Sequence, residues 1–161
     1  MKYTRQRDSR GCGPTAIINT IKWIGYPVSY NKLYPHLLAL CKTTKDEGTK
    51  VIDLKKALKE LSKIYPLSYA LISSREGIVL SKKKKKSLAY LSESGCCFII
   101  LVKWYNYKER VWKGHYVFVD KVSQDTMNCI NFHKKETEEL IDLDYLISCY
   151  MIKHIFVIKP K

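Results

Sequence analysis

In the first third of the chain, apolar residues recur at helical spacing. Ala16, Ile17, Thr20, Ile21 and Ile24 share one face of the segment 12–24. Gly25 supplies a C-terminal stop, and Pro27 follows it. Ser29 can cap a second helix running to about Leu40, with Leu33, Leu37 and Leu40 as its core stripe. Pro35 falls inside that helix and predicts a split into shorter pieces, because proline removes a helical N–H. Gly48-Thr49 precedes a third helix over about 50–62, with Leu54, Ala57, Leu58 and Leu61 turned inward and Lys55, Lys56, Lys59 and Glu60 turned to water.

Beyond residue 65 the period changes. Residues 67–73 predict a short strand, and Ser81 opens a helix to about Ser92 that Gly95 ends. Cys96–Trp104 is a continuous apolar run rich in β-formers, the pattern of a buried strand. After a turn at 106–113, Gly114–Val122 and Thr126–Phe132 predict two strands joined by a turn at Ser123-Gln124-Asp125. A brief helix over Leu143–Cys149 and a last strand over Ile152–Ile158 complete the order. Helices come mostly first and an antiparallel meander second, which is an α+β arrangement. At 161 residues with no repeat or long linker, positions 1–161 read as a single domain.

Composition narrows the class. The chain is 46% hydrophobic and 27% charged, which fits a packed globule. No apolar run is long enough for a membrane span, and the polar N-terminus lacks a signal core, so a cytoplasmic protein is expected. None of the six cysteines forms a CxxC pair or a zinc-spaced cluster, so neither a metal nor another cofactor is expected, and reduced thiols are. The net charge of +14 fits either a solubility feature or non-specific attraction to nucleic acid or an acidic partner. Lys82–Lys86 would be the contact for the latter, and a solvated helix face is its plainer meaning.

Candidate chemistry begins at Cys12, between Gly11 and Gly13 at the start of the first helix. A thiol there meets unpaired N–H groups and the positive end of the helix dipole, a setting that favours thiolate. Such a nucleophile needs an imidazole to take its proton and an acceptor to orient that imidazole. His36 sits on a predicted helix, His133 among lysines in a turn, and His154 at the start of the last strand without an obvious polar partner. His115 opens an apolar strand whose return strand reaches Asn131 sixteen positions later, a spacing that suits a hairpin. The amide oxygen of Asn131 could accept the His115 ring N–H and fix its tautomer, with Asn128 and Asp125 as weaker alternatives. Gln6 could donate its amide to an oxyanion together with the Cys12 backbone N–H. Each of these residues alone has an ordinary structural use; their order and spacing together point to a thiol-dependent site.

The Gln6-x5-Cys12 spacing, the block Gly11-Cys12-Gly13-Pro14-Thr15-Ala16 and the block Gly114-His115-Tyr116-Val117 resemble the papain-like cysteine peptidases. The resemblance is nearest to the subgroup of double-glycine leader peptidases and their free-standing relatives, and it extends over nearly the whole chain. It implies a papain-like fold, with the nucleophile helix packed on an antiparallel sheet. It further implies Cys12 as nucleophile, His115 as base, Asn131 as orienting residue and Gln6 as oxyanion donor. The chain departs from the subgroup in having Asn131-Phe132 where Asp-Pro is usual, and, with no apolar run for a membrane span, is expected to lack the fused export transporter. The double-glycine substrate is therefore not carried over.

The expected function is cleavage of a peptide or protein substrate through an acyl-enzyme, with transamidation as a variant of the same chemistry. The alternative is a basic binding protein on the same scaffold with an unused site. A resting thiolate–imidazolium pair is expected, so that iodoacetamide near pH 6 should alkylate Cys12 ahead of the other five thiols.

Overall fold

A computed structural model describes residues 2–161. Helices α1 (Cys12–Trp23), α2 (Tyr30–Leu40) and α3 (Val51–Leu61) lead into strand β1 (Leu67–Ser73). Helix α4 (Lys82–Glu93) follows, then β2 (Cys97–Asn106), β3 (Val111–Val122), β4 (Thr126–Ile130) and β5 (Glu138–Asp142). Helix α5 (Leu143–Cys149) and β6 (Met151–Pro160) close the chain. The six strands form one antiparallel sheet in the order β1-β6-β2-β3-β4-β5. The fold is α+β.

Strand β2 explains its own uninterrupted apolar sequence. Cys97, Ile99 and Leu101 pack toward α1, α2 and α3, whereas Phe98, Ile100 and Val102 pack on the opposite core with Leu88 of α4 and Leu146 of α5. A strand covered on both faces has no position left for a polar residue. The same alternation in β3 sends Tyr116 and Phe118 to the first core and Val117 and Val119 to the second.

Several local expectations meet corrections. Pro35 lies inside an unbroken α2, on its exposed side. The buried stripe of that helix is Tyr30, Tyr34 and Leu37, and Leu40 is exposed. Strand β5 has no counterpart in the sequence reading: of its five residues only Ile141 is fully buried, too weak an apolar signal to mark a strand. His154, expected to lack a polar partner, has Ser73 Oγ at 2.7 Å from Nδ1. The β2–β3 turn is also shorter than predicted, since β3 begins at Val111.

The lysine run occupies the first turns of α4, whose N-terminus is capped by Ser81 Oγ accepting from Lys84 N. Lys85 pairs with Asp144 at 3.0 Å, and Lys82, Lys83 and Lys86 are exposed. Among the described residues no helix is long and apolar enough to cross a membrane.

One buried polar pair ties the N-terminal segment to the helical half. Asn19, fully buried on α1, accepts from Thr4 N at 2.7 Å and donates to Thr4 O at 3.0 Å. Replacing it leaves a buried main-chain N–H unpaired. Asn19→Ala should therefore destabilise the fold by about 2 kcal/mol, whereas Lys86→Ala on the wet face of α4 should stay within about 0.5 kcal/mol. Urea unfolding measures both, and equal midpoints for Asn19→Ala and the parent would contradict the role given to this pair.

Candidate active site

Strand β4 stops at Ile130, which pairs with Phe118, so β3 has no β4 partner before Phe118. The tip of α1 comes to this uncovered edge. Cys12 is the first residue of α1, and the backbone N–H groups of Tyr116, of Gly13 and of Cys12 itself lie near enough to its thiol to favour the thiolate. The flanking glycines have steric reasons. A Cβ at Gly11 would collide with the Tyr34 hydroxyl, and one at Gly13 would stand 2.8 Å from Thr49 Oγ1. Tyr34 is itself pinned, donating to Asp8 Oδ2 at 2.5 Å and stacking on Tyr30. The Gly-Cys-Gly block is thus the slot into which Tyr34 of α2 and Thr49, two residues ahead of α3, press.

His115 precedes Tyr116 on the same strand edge. Its Nε2 lies 2.5 Å from the backbone carbonyl of Asn131. A carbonyl only accepts, so Nε2 carries the proton and the neutral ring keeps its lone pair on Nδ1. This corrects the expected role of the Asn131 side chain. The amide of Asn131 is fully committed elsewhere: Oδ1 accepts from Gln6 N at 3.0 Å, and Nδ2 donates to Thr4 O at 2.8 Å. The residue sits in the left-handed region at φ 62°, with its N–H on Thr137 O at 2.7 Å. Asparagine tolerates that region better than most residues. The turn therefore aims the carbonyl, and not the side chain, at the imidazole.

Gln6 is placed by the Asn131 bond to its main chain. Its Nε2 donates to Asp8 O at 2.6 Å, which engages one of its two N–H groups. Gln6, His115 and Asn131 line a cleft of about 750 Å³ whose walls are the 5–9 segment and the β2, β3 and post-β4 residues. Cys12 does not line that cleft. Among the described residues the His115 ring bonds Asn131, and no hydrogen bond joins the Cys12 sulfur to that ring. Asn128, a weaker candidate from sequence, instead bridges Asp120 and Glu138, and Asp125 lies in the far turn.

Electrostatics depart from the sequence expectation. Burial pushes the Cys12 thiol up, and three main-chain N–H groups counter it only in part, with the Asp8 carboxylate adding to the rise. Burial likewise pushes the His115 imidazole down; the Asn131 carbonyl opposes this and the nearby His133 adds to it. Both shifts favour a neutral thiol and a neutral imidazole at pH 7, in place of the resting ion pair that the helix dipole alone implied. Desolvation is the largest cause of each shift.

What sequence reasoning missed is the pair of amides that hold the site together. Asn19 and Asn131 both donate to Thr4 O, one from each half of the fold. Asn19 lies inside a helix among Ile17, Ile18 and Ile21, and a polar residue within such an apolar stretch was the available signal.

No family model and no curated protein matches the chain. Solved structures similar to it include two peptidase domains. One is the peptidase domain of Streptococcus ComA, a bi-functional ABC transporter involved in a quorum sensing pathway: TM-score 0.67 and 18% identity, over 99% of this chain and 100% of that one. The other is the peptidase domain of Streptococcus mutans ComA in complex with a small-molecule inhibitor: TM-score 0.56 and 15% identity, again over 99% of this chain and 100% of that one. What the chain shares with these domains, over 99% of its length, is their α+β fold.

Proposed function

We propose that this protein is a cysteine peptidase in which Cys12 attacks a peptide carbonyl and His115 Nδ1 takes the thiol proton. The observation that carries this reading is the Nε2 bond to the Asn131 carbonyl, because it leaves an unprotonated Nδ1 on the residue next to Tyr116, whose N–H lies near the Cys12 sulfur. The likeness to peptidase domains supports the same class of chemistry.

The resting pair is neutral, so His115 acts as a general base and no standing ion pair is needed. The reaction requires the Cys12 sulfur to come within reach of Nδ1. As the carbon–sulfur bond forms, the imidazolium is stabilised by the Asn131 carbonyl on its other nitrogen. The carbonyl oxygen of the substrate gathers charge, and the Cys12 backbone N–H with the second N–H of Gln6 Nε2 would receive it. The imidazolium then protonates the leaving amine, and water or another amine releases the acyl group from sulfur.

Cys12→Ala should abolish cleavage in a peptide-library screen, and His115→Ala should lower kcat/KM by about 10²–10⁴-fold. Full activity in Cys12→Ala would end the reading.

Asn131 acts through its main chain as a positioning residue. Asn131→Gly should keep the left-handed turn and lower kcat/KM by only about tenfold, with the Nε2–H tautomer of His115 intact by ¹⁵N NMR. A loss near 10⁴-fold with a change of tautomer is what a side-chain acceptor would give.

The pH dependence has a definite sign. A thiol held above its ordinary range ionises late, so the alkylation rate of Cys12 should climb continuously from pH 6 to pH 9. A plateau already reached below pH 6 would show a resting thiolate–imidazolium pair and contradict the neutral one.

A further inference from the structure

The lysine run of α4 has no part in the candidate active site. Lys82, Lys83 and Lys86 are exposed, and among the described residues only Lys85 of the run has a carboxylate within ion-pair distance, Asp144 at 3.0 Å. A helix face that merely meets water mixes both signs, as α3 does with Lys55, Lys56, Lys59 and Glu60. Helix α4 has no acid in its first turn, and its one carboxylate, Glu93, is its last residue. The run therefore occupies the positive end of the helix dipole, with Lys82 four positions from Lys86 and Lys83 three from it. Both arrangements oppose helix formation. The Ser81 cap and the burial of Leu88 and Ala89 hold the helix in spite of them. Charge that works against the fold has its use in an anionic partner.

An aromatic ring lies beside these cations. Lys83, Lys86 and Tyr90 recur at i, i+3 and i+7, which sets them on one face of the helix. With Ser87 and Leu91 they line an open depression that shares no residue with the cleft at His115. Tyr90 is 69% exposed, and among the described residues its ring packs on no other aromatic ring. A free ring next to free ammonium groups suits an unpaired base and its flanking phosphates. A lipid surface fits less well, because the apolar side of α4, Leu88 and Ala89, is buried in the core and cannot insert. An acidic polypeptide would use the lysines and leave the ring idle.

We infer that the exposed face of α4 is a second site, which binds single-stranded nucleic acid with phosphates on Lys82, Lys83 and Lys86 and a base stacked on Tyr90. Asp144 on α5 and Glu93 at the far end of α4 border the patch with opposite charge and keep its footprint short. This site is independent of the peptidase reading and stands or falls without it.

Fluorescence anisotropy of a labelled single strand of about twelve thymidines, titrated with the unmodified protein, tests this. Three phosphate contacts give a slope of about −2 for log K against log salt, so affinity should fall about twentyfold between roughly 50 and 200 mM salt. The triple variant Lys82→Gln/Lys83→Gln/Lys86→Gln should weaken binding and flatten that slope, by about one for each lysine removed at most. Lys55→Gln/Lys56→Gln/Lys59→Gln on α3 removes the same charge and should leave the affinity within about twofold, because those lysines lie outside the patch. Tyr90→Ala should weaken binding about tenfold with the salt slope unchanged, and Tyr90→Phe should bind as the parent does. The α4 triple variant should also unfold at no lower a temperature than the parent, since it relieves like charge at the helix start. Five outcomes would each overturn the inference: no binding of the strand, equal loss in the α3 and α4 variants, unchanged affinity in Tyr90→Ala, a lower unfolding temperature in the α4 variant, or displacement of the strand by phosphatidylserine vesicles or polyglutamate of lower Kd.

Discussion

Everything at the candidate site hangs on one residue in a strained turn. Asn131 holds φ at 62° and uses all four of its polar groups. Its carbonyl meets His115, its N–H meets Thr137, and its side chain spans Gln6 N and Thr4 O. A left-handed residue costs roughly 1–2 kcal/mol for an ordinary side chain, and the four hydrogen bonds offset that. The turn also ends β4 early, which leaves the β3 edge open where the helix tip arrives. One local conformation therefore orients the imidazole, places the Gln6 backbone and leaves the β3 edge open beside the helix tip that carries Cys12.

The two halves of the fold are joined by polar bonds as well as by the apolar cores. Thr4 O accepts from Asn19 on α1 and from Asn131 after β4. Farther along the same N-terminal segment, Tyr3 donates to Asp120 of β3 at 2.6 Å, and Arg5 reaches Lys134 O. Residues 3–6 are thereby fixed to both helix and sheet before the chain turns into the Gly11-Cys12-Gly13 slot. Directional bonds suit this task, since apolar packing alone permits small slides that a reacting geometry does not tolerate.

Much of this was legible in the sequence. Helical spacing gave α1 and α3 nearly to the residue, β-formers gave β2, and the glycines around Cys12 marked the helix tip. The weak points have physical causes. Pro35 sits on the wet side of α2, where one missing hydrogen bond is tolerated and tertiary packing of Tyr30, Tyr34 and Leu37 keeps the helix whole. Strand β5 carries too few apolar residues to announce itself and forms because β4 offers an edge to pair with. Sequence reasoning aimed the Asn131 side chain at the imidazole, whereas its backbone carbonyl makes that bond, because sequence names a side chain and cannot say that its backbone will turn left-handed. The expected thiolate at Cys12 drew on the helix N-terminus, which is visible in sequence; the burial that opposes it is not.

The central claim is that the Cys12 sulfur and the His115 Nδ1 come within reach of one another at the open edge of β3. A bifunctional alkylating agent with a three-carbon span, such as 1,3-dibromoacetone, measures this directly, followed by proteolysis and mass spectrometry. The account predicts one dominant cross-link, joining the peptide that contains Cys12 to the peptide that contains His115. Cross-linking of Cys12 to any other residue, or single alkylation of Cys12 with His115 untouched, would contradict it.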